Sequence, residues 1–194
     1  MRAKKGFLIA LSIFLTPFIV ISASTFWYYF GYGPEERVNY GFLLSDPIDI
    51  GKLDLELDFQ HLDIDSMERK WMMIHFVKSK CLEDCADSIY IARQVNKLLS
   101  REQRRVKRYI ASPEENRSSL QSFFSTYQDL NFIKIKDIEI VMNGFKASNI
   151  DPFEQPNLFI VDPIGNIVLY YSGEIDGKKL LTDLKKLLKA SKIG

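Results

Sequence analysis

The sequence is poor in the residues and motifs that most enzymes use for chemistry. It contains two cysteines and two histidines in 194 residues, and no GxSxG, P-loop or HExxH motif. Hydrolase and nucleotide-dependent functions therefore have no motif to support them. A structural zinc site, which needs four ligands, is not expected from so few thiols and imidazoles.

An excess of charge of either sign is also lacking. The 26 basic residues stand against 25 acidic ones, for a net charge of +1. The arginine-rich stretch at 101–108 has no interleaved aromatic residues and matches no nucleic-acid motif. We therefore predict no nucleic-acid partner. The length and the hydrophobic content of 46% allow one globular domain with a sizeable core.

Charged residues are absent from Gly6 to Pro34. The apolar run within this segment is long enough, at about 1.5 Å per residue, to cross a hydrocarbon core of roughly 30 Å. Three basic residues precede it and two glutamates follow it, so the positive-inside rule predicts a cytoplasmic N-terminus. A cleaved signal peptide is the alternative, because Ser22-Ala23-Ser24 is a small-x-small triplet. Apolar and aromatic residues continue past that triplet, which favours an uncleaved anchor.

The exported part shows strand and helix patterns in alternation. The predicted elements are a buried strand at 71–77, a helix carrying Ile89 to Leu99, a strand at 106–111, a helix capped by Ser112-Pro113-Glu114-Glu115, an ambiguous segment at 132–142, a hairpin at 156–171 and a final helix carrying Leu180 to Leu188. This order is thioredoxin-like, and it predicts an α/β fold with a mixed central sheet and helices on both faces. The predicted organisation is a cytoplasmic N-terminus (1–5), a transmembrane anchor (6–32), a linker with an N-terminal extension or hairpin (33–69) and the thioredoxin-like domain (70–194).

Cys81 and Cys85 stand four residues apart, directly after the apolar run at 71–77. A strand that delivers two thiols to the start of a helix favours thiolate chemistry, because the positive end of the helix dipole stabilises the anion. Lys78 and Lys80 act in the same sense, whereas the two acidic residues between the cysteines oppose it. The spacing permits a structural disulfide, a redox pair or a soft-metal site.

His75 lies in the middle of the same strand, six residues before Cys81. A core histidine that forms local hydrogen bonds is the preferred interpretation. A close approach to the two thiols is the alternative.

Several motifs give the chain a resemblance to the Sco-like branch of the thioredoxin superfamily, and in particular to its small single-pass transmembrane proteins that accompany bacterial cytochrome c oxidase assembly. The residues that carry this resemblance are Asn39-Tyr40-Gly41, Lys70-Trp71, Cys81, Cys85, Arg93-Gln94, Arg105-Val106, the hairpin from Leu158 to Asn166, and the ending from Asp183 to Gly194. The sequence departs from true Sco proteins at two places. Leu82 and Ala86 replace the prolines of a CPxxCP-like motif, and the stretch 151–156 lacks the distal histidine that serves as a third copper ligand.

The resemblance implies a membrane-anchored assembly factor in the bacterial inner membrane, with a periplasmic C-terminal domain. Cys81 and Cys85 would deliver Cu(I), or would reduce the disulfide of the oxidase copper site, with Cys81 as the attacking thiol. Pro156 corresponds to the cis-proline that thioredoxin-like folds place against the active thiols. The implied partners are the oxidase subunit with the copper site, other assembly factors and the lipid bilayer.

An assembly factor or metallochaperone is preferred over a thiol-disulfide oxidoreductase as the class of protein. Two alternatives remain open. One is a non-catalytic, membrane-tethered interaction module with a structural disulfide, and the other is a general periplasmic dithiol oxidoreductase.

Overall fold

The structure is a computed structural model that describes residues 2–30, 39–57, 60–62 and 68–191. The chain divides into two compact units, Met1–Val38 and Asn39–Gly194. The first contains helix α1 (Arg2–Tyr29). Its segment Leu11–Tyr29 is long and apolar enough to cross a membrane, and none of that segment is buried in the protein. The prediction of one N-terminal apolar helix that could span a membrane is confirmed.

The second unit contains a mixed sheet of eight described strands and four further helices. The strands are β1 (Phe42–Asp49), β2 (Leu55–Leu57), β3 (Gln60–His61), β4 (Trp71–Phe76), β5 (Val106–Pro113), β6 (Leu130–Ile135), β7 (Asn157–Val161) and β8 (Asn166–Ser172). The helices are α2 (Glu83–Leu98), α3 (Gln121–Thr126), α4 (Ile138–Lys146) and α5 (Gly177–Ala190). The strand order is β1-β8-β7-β4-β5-β6-β2-β3, with β4, β5 and β6 parallel and the other pairs antiparallel.

Strand β4 is buried on both faces because helices cover both sides of the sheet. On one face Trp71 and Met73 pack with residues of α2 and α5. On the other face Met72, Ile74 and Phe76 pack with residues of α4. This alternation follows the period of two in a strand. The predicted α/β class, with a mixed sheet and helices on both faces, is confirmed.

The segment before β4 also belongs to this sheet. Strand β1 pairs with β8, and β2 pairs with β6 and β3. Leu53, Leu55 and Leu57, which alternate with Asp54 and Glu56 in the sequence, are buried. The compact unit thus begins at Asn39, ahead of residue 70, where the thioredoxin-like domain was predicted to begin.

The predicted helix start at Ser112-Pro113-Glu114-Glu115 is wrong. Ser112 and Pro113 continue β5 and pair with Lys134 and Ile135 of β6. The Ser112 hydroxyl donates to the Val77 carbonyl at 2.7 Å, so it does not cap a helix. A short 3₁₀ turn follows, and α3 begins only at Gln121. Strand pairing here overrides the local capping pattern.

Candidate functional site

The two cysteines lie where β4 passes into α2. Cys81 precedes the helix, Leu82 is its N-cap without a side-chain cap, and Cys85 lies in the first turn. The end of β5 fixes the connecting loop, since the Val77 amide donates to the Ala111 carbonyl at 2.9 Å. The side chain of Asn116 likewise donates to the Lys78 carbonyl at 2.7 Å. The dithiol is therefore attached to rigid elements on both sides.

Cys81 and Cys85 form a disulfide, with their Cα atoms 5.2 Å apart. The two sulfur-bearing residues differ in environment. Cys85 is only 3% exposed and packs with Val77, Ile89 and Ile110, among others, whereas Cys81 is half-buried at the edge of that cluster. Cys81 is therefore the more accessible of the two cysteines to a reactant in solution, and Cys85 is shielded by the cluster.

Charged side chains of both signs surround this disulfide. Lys78 and Lys80 are exposed on the loop, and Glu83 and Asp84 are exposed in the first turn of α2. The first-turn amides point toward the helix N-terminus and favour a thiolate there, while the two carboxylates disfavour it. Because these charged groups are exposed, salt screens their influence.

His75 forms its hydrogen bonds with backbone and hydroxyl groups of neighbouring elements. Its Nδ1 atom lies 2.6 Å from the Asn157 carbonyl oxygen and 3.3 Å from Ser88 Oγ. Among the described residues, its hydrogen-bonding neighbours lie on β7 and α2 and include neither sulfur. Burial lowers the pKa of His75 from its ordinary 6.5 to about 4, although the bond to Asn157 acts in the opposite direction. His75 is thus a buried, neutral imidazole at neutral pH.

Asn157 connects the end of β4 to the loop that carries Pro156. Its Nδ2 atom donates to the carbonyls of Phe76, Pro152 and Glu154 at 3.0, 2.9 and 3.0 Å. Its Oδ1 atom accepts from the Phe76 amide at 3.0 Å. The side chain therefore pairs with Phe76 as a neighbouring strand would, and it holds the loop at 152–156 against the strand that leads to the cysteines.

The Gln155–Pro156 peptide bond is cis. Pro156 lines a groove of about 690 Å³ that also contains residues from the first turns of α2 and from the segment after β8. The other residues lining the groove are Asp84, Asp87, Ser88, Tyr90, Ile91, Gly173, Glu174 and Ile175. Pro156 and the start of α2 thus border the same groove.

The described residues contain no group of three or more His, Cys, Asp or Glu side chains that could hold a metal ion. In the stretch 151–156, Asp151 accepts a hydrogen bond from the Phe153 amide at 2.8 Å, and Phe153 packs edge-on against Phe76. A copper ion brought to this site would find two soft sulfur ligands once the disulfide is reduced. The residues present fit transient Cu(I) cargo better than a resident Cu(II) centre.

Asn157 and Ser88 were not among the residues predicted for the site. The bonds that join Asn157 to His75, Phe76 and Ser88 cross 69 to 82 residues of sequence, so no local pattern identifies them. The only local signal is a polar amide directly after Pro156 and before the apolar run of β7. Buried polar groups are nearly always hydrogen-bonded, so a buried amide side chain at that position indicates that a backbone group nearby pairs with it.

A family model described as "transmembrane-like, thioredoxin-like, C-terminal domain" matches residues 71–191. No curated protein matches the chain. Yeast Sco1 with copper bound is 17% identical with a TM-score of 0.55, covering 77% of this chain and 95% of Sco1. BsSco, a member of the Sco family of cytochrome c oxidase assembly proteins in which a disulfide switch has been identified, is 16% identical with a TM-score of 0.51, covering 76% of this chain and 99% of BsSco.

The thioredoxin domain of a thiol-disulfide oxidoreductase from Bacteroides vulgatus is also similar. It is 14% identical with a TM-score of 0.51, covering 72% of this chain and 97% of that domain. At such identities the likeness establishes the fold alone. The predicted thioredoxin-like fold is confirmed.

Proposed function

This chain belongs to the transmembrane-like, thioredoxin-like family, and we propose that it is a membrane-anchored thiol-disulfide exchange protein that serves assembly of a cytochrome c oxidase copper site. One observation carries the proposal. The half-buried Cys81 is disulfide-bonded to the buried Cys85 at the start of a helix in a thioredoxin-like fold. That asymmetry separates an attacking sulfur from a resolving one.

The proposed reaction begins with the reduced dithiol. The Cys81 thiolate attacks a substrate disulfide, forming a mixed disulfide and releasing one substrate thiolate. The Cys85 thiolate then attacks Cys81 Sγ, which closes the Cys81–Cys85 disulfide and releases the second substrate thiolate. The substrate disulfide is reduced, this chain is oxidised, and an external dithiol reductant restores the starting state.

The groove beside Pro156 supports an extended substrate segment as the second reactant. It reaches from the first turns of α2, the helix that begins directly after Cys81 and Leu82, to Gly173. Asn157 fixes one wall of the groove through its bonds to Pro152 and Glu154. Positioning of this kind lowers the entropic cost of bringing two sulfurs together.

Delivery of Cu(I) is the second candidate function. Yeast Sco1 binds copper and has a similar fold, and two thiolates alone suit a low-coordinate Cu(I) ion. The absence of a histidine from 151–156 favours exchange over copper carriage. In this second function, copper is cargo that passes from Cys81 and Cys85 to the oxidase.

We further propose that α1 spans the bacterial inner membrane once, with residues 1–5 in the cytoplasm and 33–194 in the periplasm. The positive charges before the apolar run and the glutamates after it support this orientation. An oxidising periplasm would also allow the disulfide to persist.

The decisive experiment uses the full chain in detergent or nanodiscs, reduced and then freed of reductant. It is mixed with an oxidised peptide that carries the two copper-binding cysteines of an oxidase subunit, and with an unrelated disulfide peptide as control. We expect fast reduction of the oxidase peptide, no turnover by Cys81→Ser, and a trapped mixed disulfide with Cys85→Ser. Equal rates on both peptides would instead favour a general oxidoreductase.

Anaerobic Cu(I) titration of the same samples separates the two candidates. Stoichiometric copper binding that is lost in Cys81→Ser, without peptide reduction, would replace exchange by copper delivery. If neither activity is found and both serine variants support oxidase assembly under copper limitation, the disulfide is structural and both proposals fail.

A further inference from the structure

The exposed side of α5 is rich in lysine. Its 3.6-residue period places five lysines within a stripe of roughly 120°, opposite the buried Leu180, Leu184 and Leu188. The lysines of this stripe, here called the lysine face, are Lys178, Lys179, Lys185, Lys186 and Lys189, and all are exposed. The single acidic residue within α5, Asp183, is fully buried.

The N-cap Asp176 adjoins the lysine face, where its carboxylate accepts from the backbone amides of Lys178 and Lys179. Within the part of the chain that the structure describes, Lys178, Lys185 and Lys189 take part in no salt bridge. The five lysines are a large share of the 26 basic residues, and without them 21 basic residues would face 25 acidic ones. The five lysines thus form a local positive surface on a chain that would otherwise be net negative, and an anionic partner would recognise such a surface.

The polypeptide enters the second unit at this same surface. The amides of Tyr40 and Gly41 donate to Asp183 Oδ2 at 2.8 and 2.9 Å. The Tyr40 ring centroid lies 5.8 Å from Lys179 Nζ and 5.7 Å from Lys186 Nζ. The first residues of the compact unit are thus fixed to the lysine face.

Apolar side chains stand exposed beside the same entry point. Tyr40 is 60% exposed, and Leu43, at the start of β1, is 62% exposed. Exposed aromatic and aliphatic side chains next to lysines are the composition of surfaces that lie at a membrane interface.

A short segment of sequence joins the second unit to the apolar helix. Only residues 31–38 separate Phe30 from Asn39. Eight residues at full extension reach about 30 Å, so the tether keeps the lysine face at a high effective concentration near any membrane that α1 spans. This step rests on the proposed membrane span and does not depend on the chemistry of the cysteines.

We propose that the lysine face of α5, together with Tyr40 and Leu43, docks on the anionic phospholipid headgroups of the membrane in which α1 is anchored. Each lysine that reaches an anionic surface raises the binding constant by roughly a factor of five. The attraction is electrostatic and falls with salt over a Debye length of about 8 Å at physiological ionic strength.

Amine footprinting of the full chain in nanodiscs tests the proposal. One set of discs contains phosphatidylcholine alone and the other contains phosphatidylglycerol as well. The acetylation rates of individual lysines are measured by mass spectrometry at low and high salt. We expect Lys178, Lys185 and Lys189 to be acetylated several-fold more slowly in the anionic discs at low salt. Lys97 and Lys146, exposed on α2 and α4, should not change.

A triple glutamine variant at 178, 185 and 189 should abolish the lipid-dependent protection of Lys179 and Lys186. A matched variant with glutamine at 52, 97 and 146 should retain it. Equal acetylation in both lipids would overturn the proposal and would leave an acidic protein as the partner to seek. Cys81→Ser should dock normally. Alkaline extraction that releases the chain would refute the membrane span and with it the tether, whereas unprotected lysines in a chain that resists extraction would refute docking alone.

Discussion

Replacement of His75 by glutamine should reduce the acid sensitivity of folding by a predictable amount. The pKa of His75 is lowered to about 4 in the folded protein, from 6.5. The unfolded chain therefore binds more protons than the folded one between these two values, and the stability contributed by the neutral ring is present above pH 6.5. It is lost as the pH falls toward 4. The loss is about 2 kcal/mol at pH 5 and about 3 kcal/mol in full.

The assay is urea unfolding of the unit from Asn39 onward, at a series of pH values from 7.5 to roughly 4.5, a window set by these pKa values. Glutamine has no titrating ring, and it retains an amide that can donate to the Asn157 carbonyl. The carboxylates and His61 are common to both proteins, so the difference between the two pH profiles isolates His75. Profiles that run parallel throughout would refute the assignment of His75 as a buried neutral group.

Three further changes test the site and its scaffold. Asn157→Ala removes the bonds of the side chain to the Phe76 backbone and to the loop at 152–156, and should lower the free energy of unfolding by about 3 kcal/mol in urea titrations. A loss below about 1 kcal/mol would mean that water replaces the amide. Gly41→Ala places a methyl group 2.7 Å from the Tyr171 ring and should lower the free energy of unfolding by about 2 kcal/mol. The loss would be seen as a lower urea midpoint, and an unchanged midpoint would show that the ring can move. In the reduced protein, iodoacetamide should modify Cys81 well before Cys85, and equal rates by mass spectrometry would contradict the exposed and internal roles assigned to them.

The sequence predicted best those elements whose pattern reflects burial. The apolar run at 71–77 became β4, buried on both faces, and the spacing from Ile89 to Leu99 became the packed side of α2. The hairpin at 156–171 became β7 and β8. In each case the spacing of apolar residues within one short segment shows which face is buried, so the segment alone is sufficient to predict the strand or helix.

Local patterns failed where a distant partner decides the structure. Ser112 and Pro113 resemble a helix start, yet pairing with β6 and a bond to Val77 keep them extended. The ambiguous segment 132–142 resolves into the end of β6 and the start of α4, separated by Asp137, whose carboxylate caps the helix. The contribution of Asn157 was equally hidden, because its bonds to Phe76 cross 81 residues.

The residues that carried the family resemblance outside the cysteines act mainly as scaffold. Asp183 is fully buried, and its Oδ2 atom accepts from the Tyr40 and Gly41 amides and from the Tyr171 hydroxyl at 2.6 Å. It thereby joins the start of the compact unit to α5 and β8, which explains why motifs 142 residues apart belong together.

Arg105 extends the same scaffold at the other end of α5, where it donates to the carbonyls of Leu188 and Ser191 at 3.1 and 2.9 Å. Helix α5 is thus held near its middle by Asp183 and at its C-terminus by Arg105. These contacts specify how the domain is built, and none of them involves Cys81 or Cys85. A resemblance carried by such residues predicts the fold of the domain more firmly than it predicts copper binding or thiol exchange. The exchange and copper experiments must therefore be made on the two cysteines themselves.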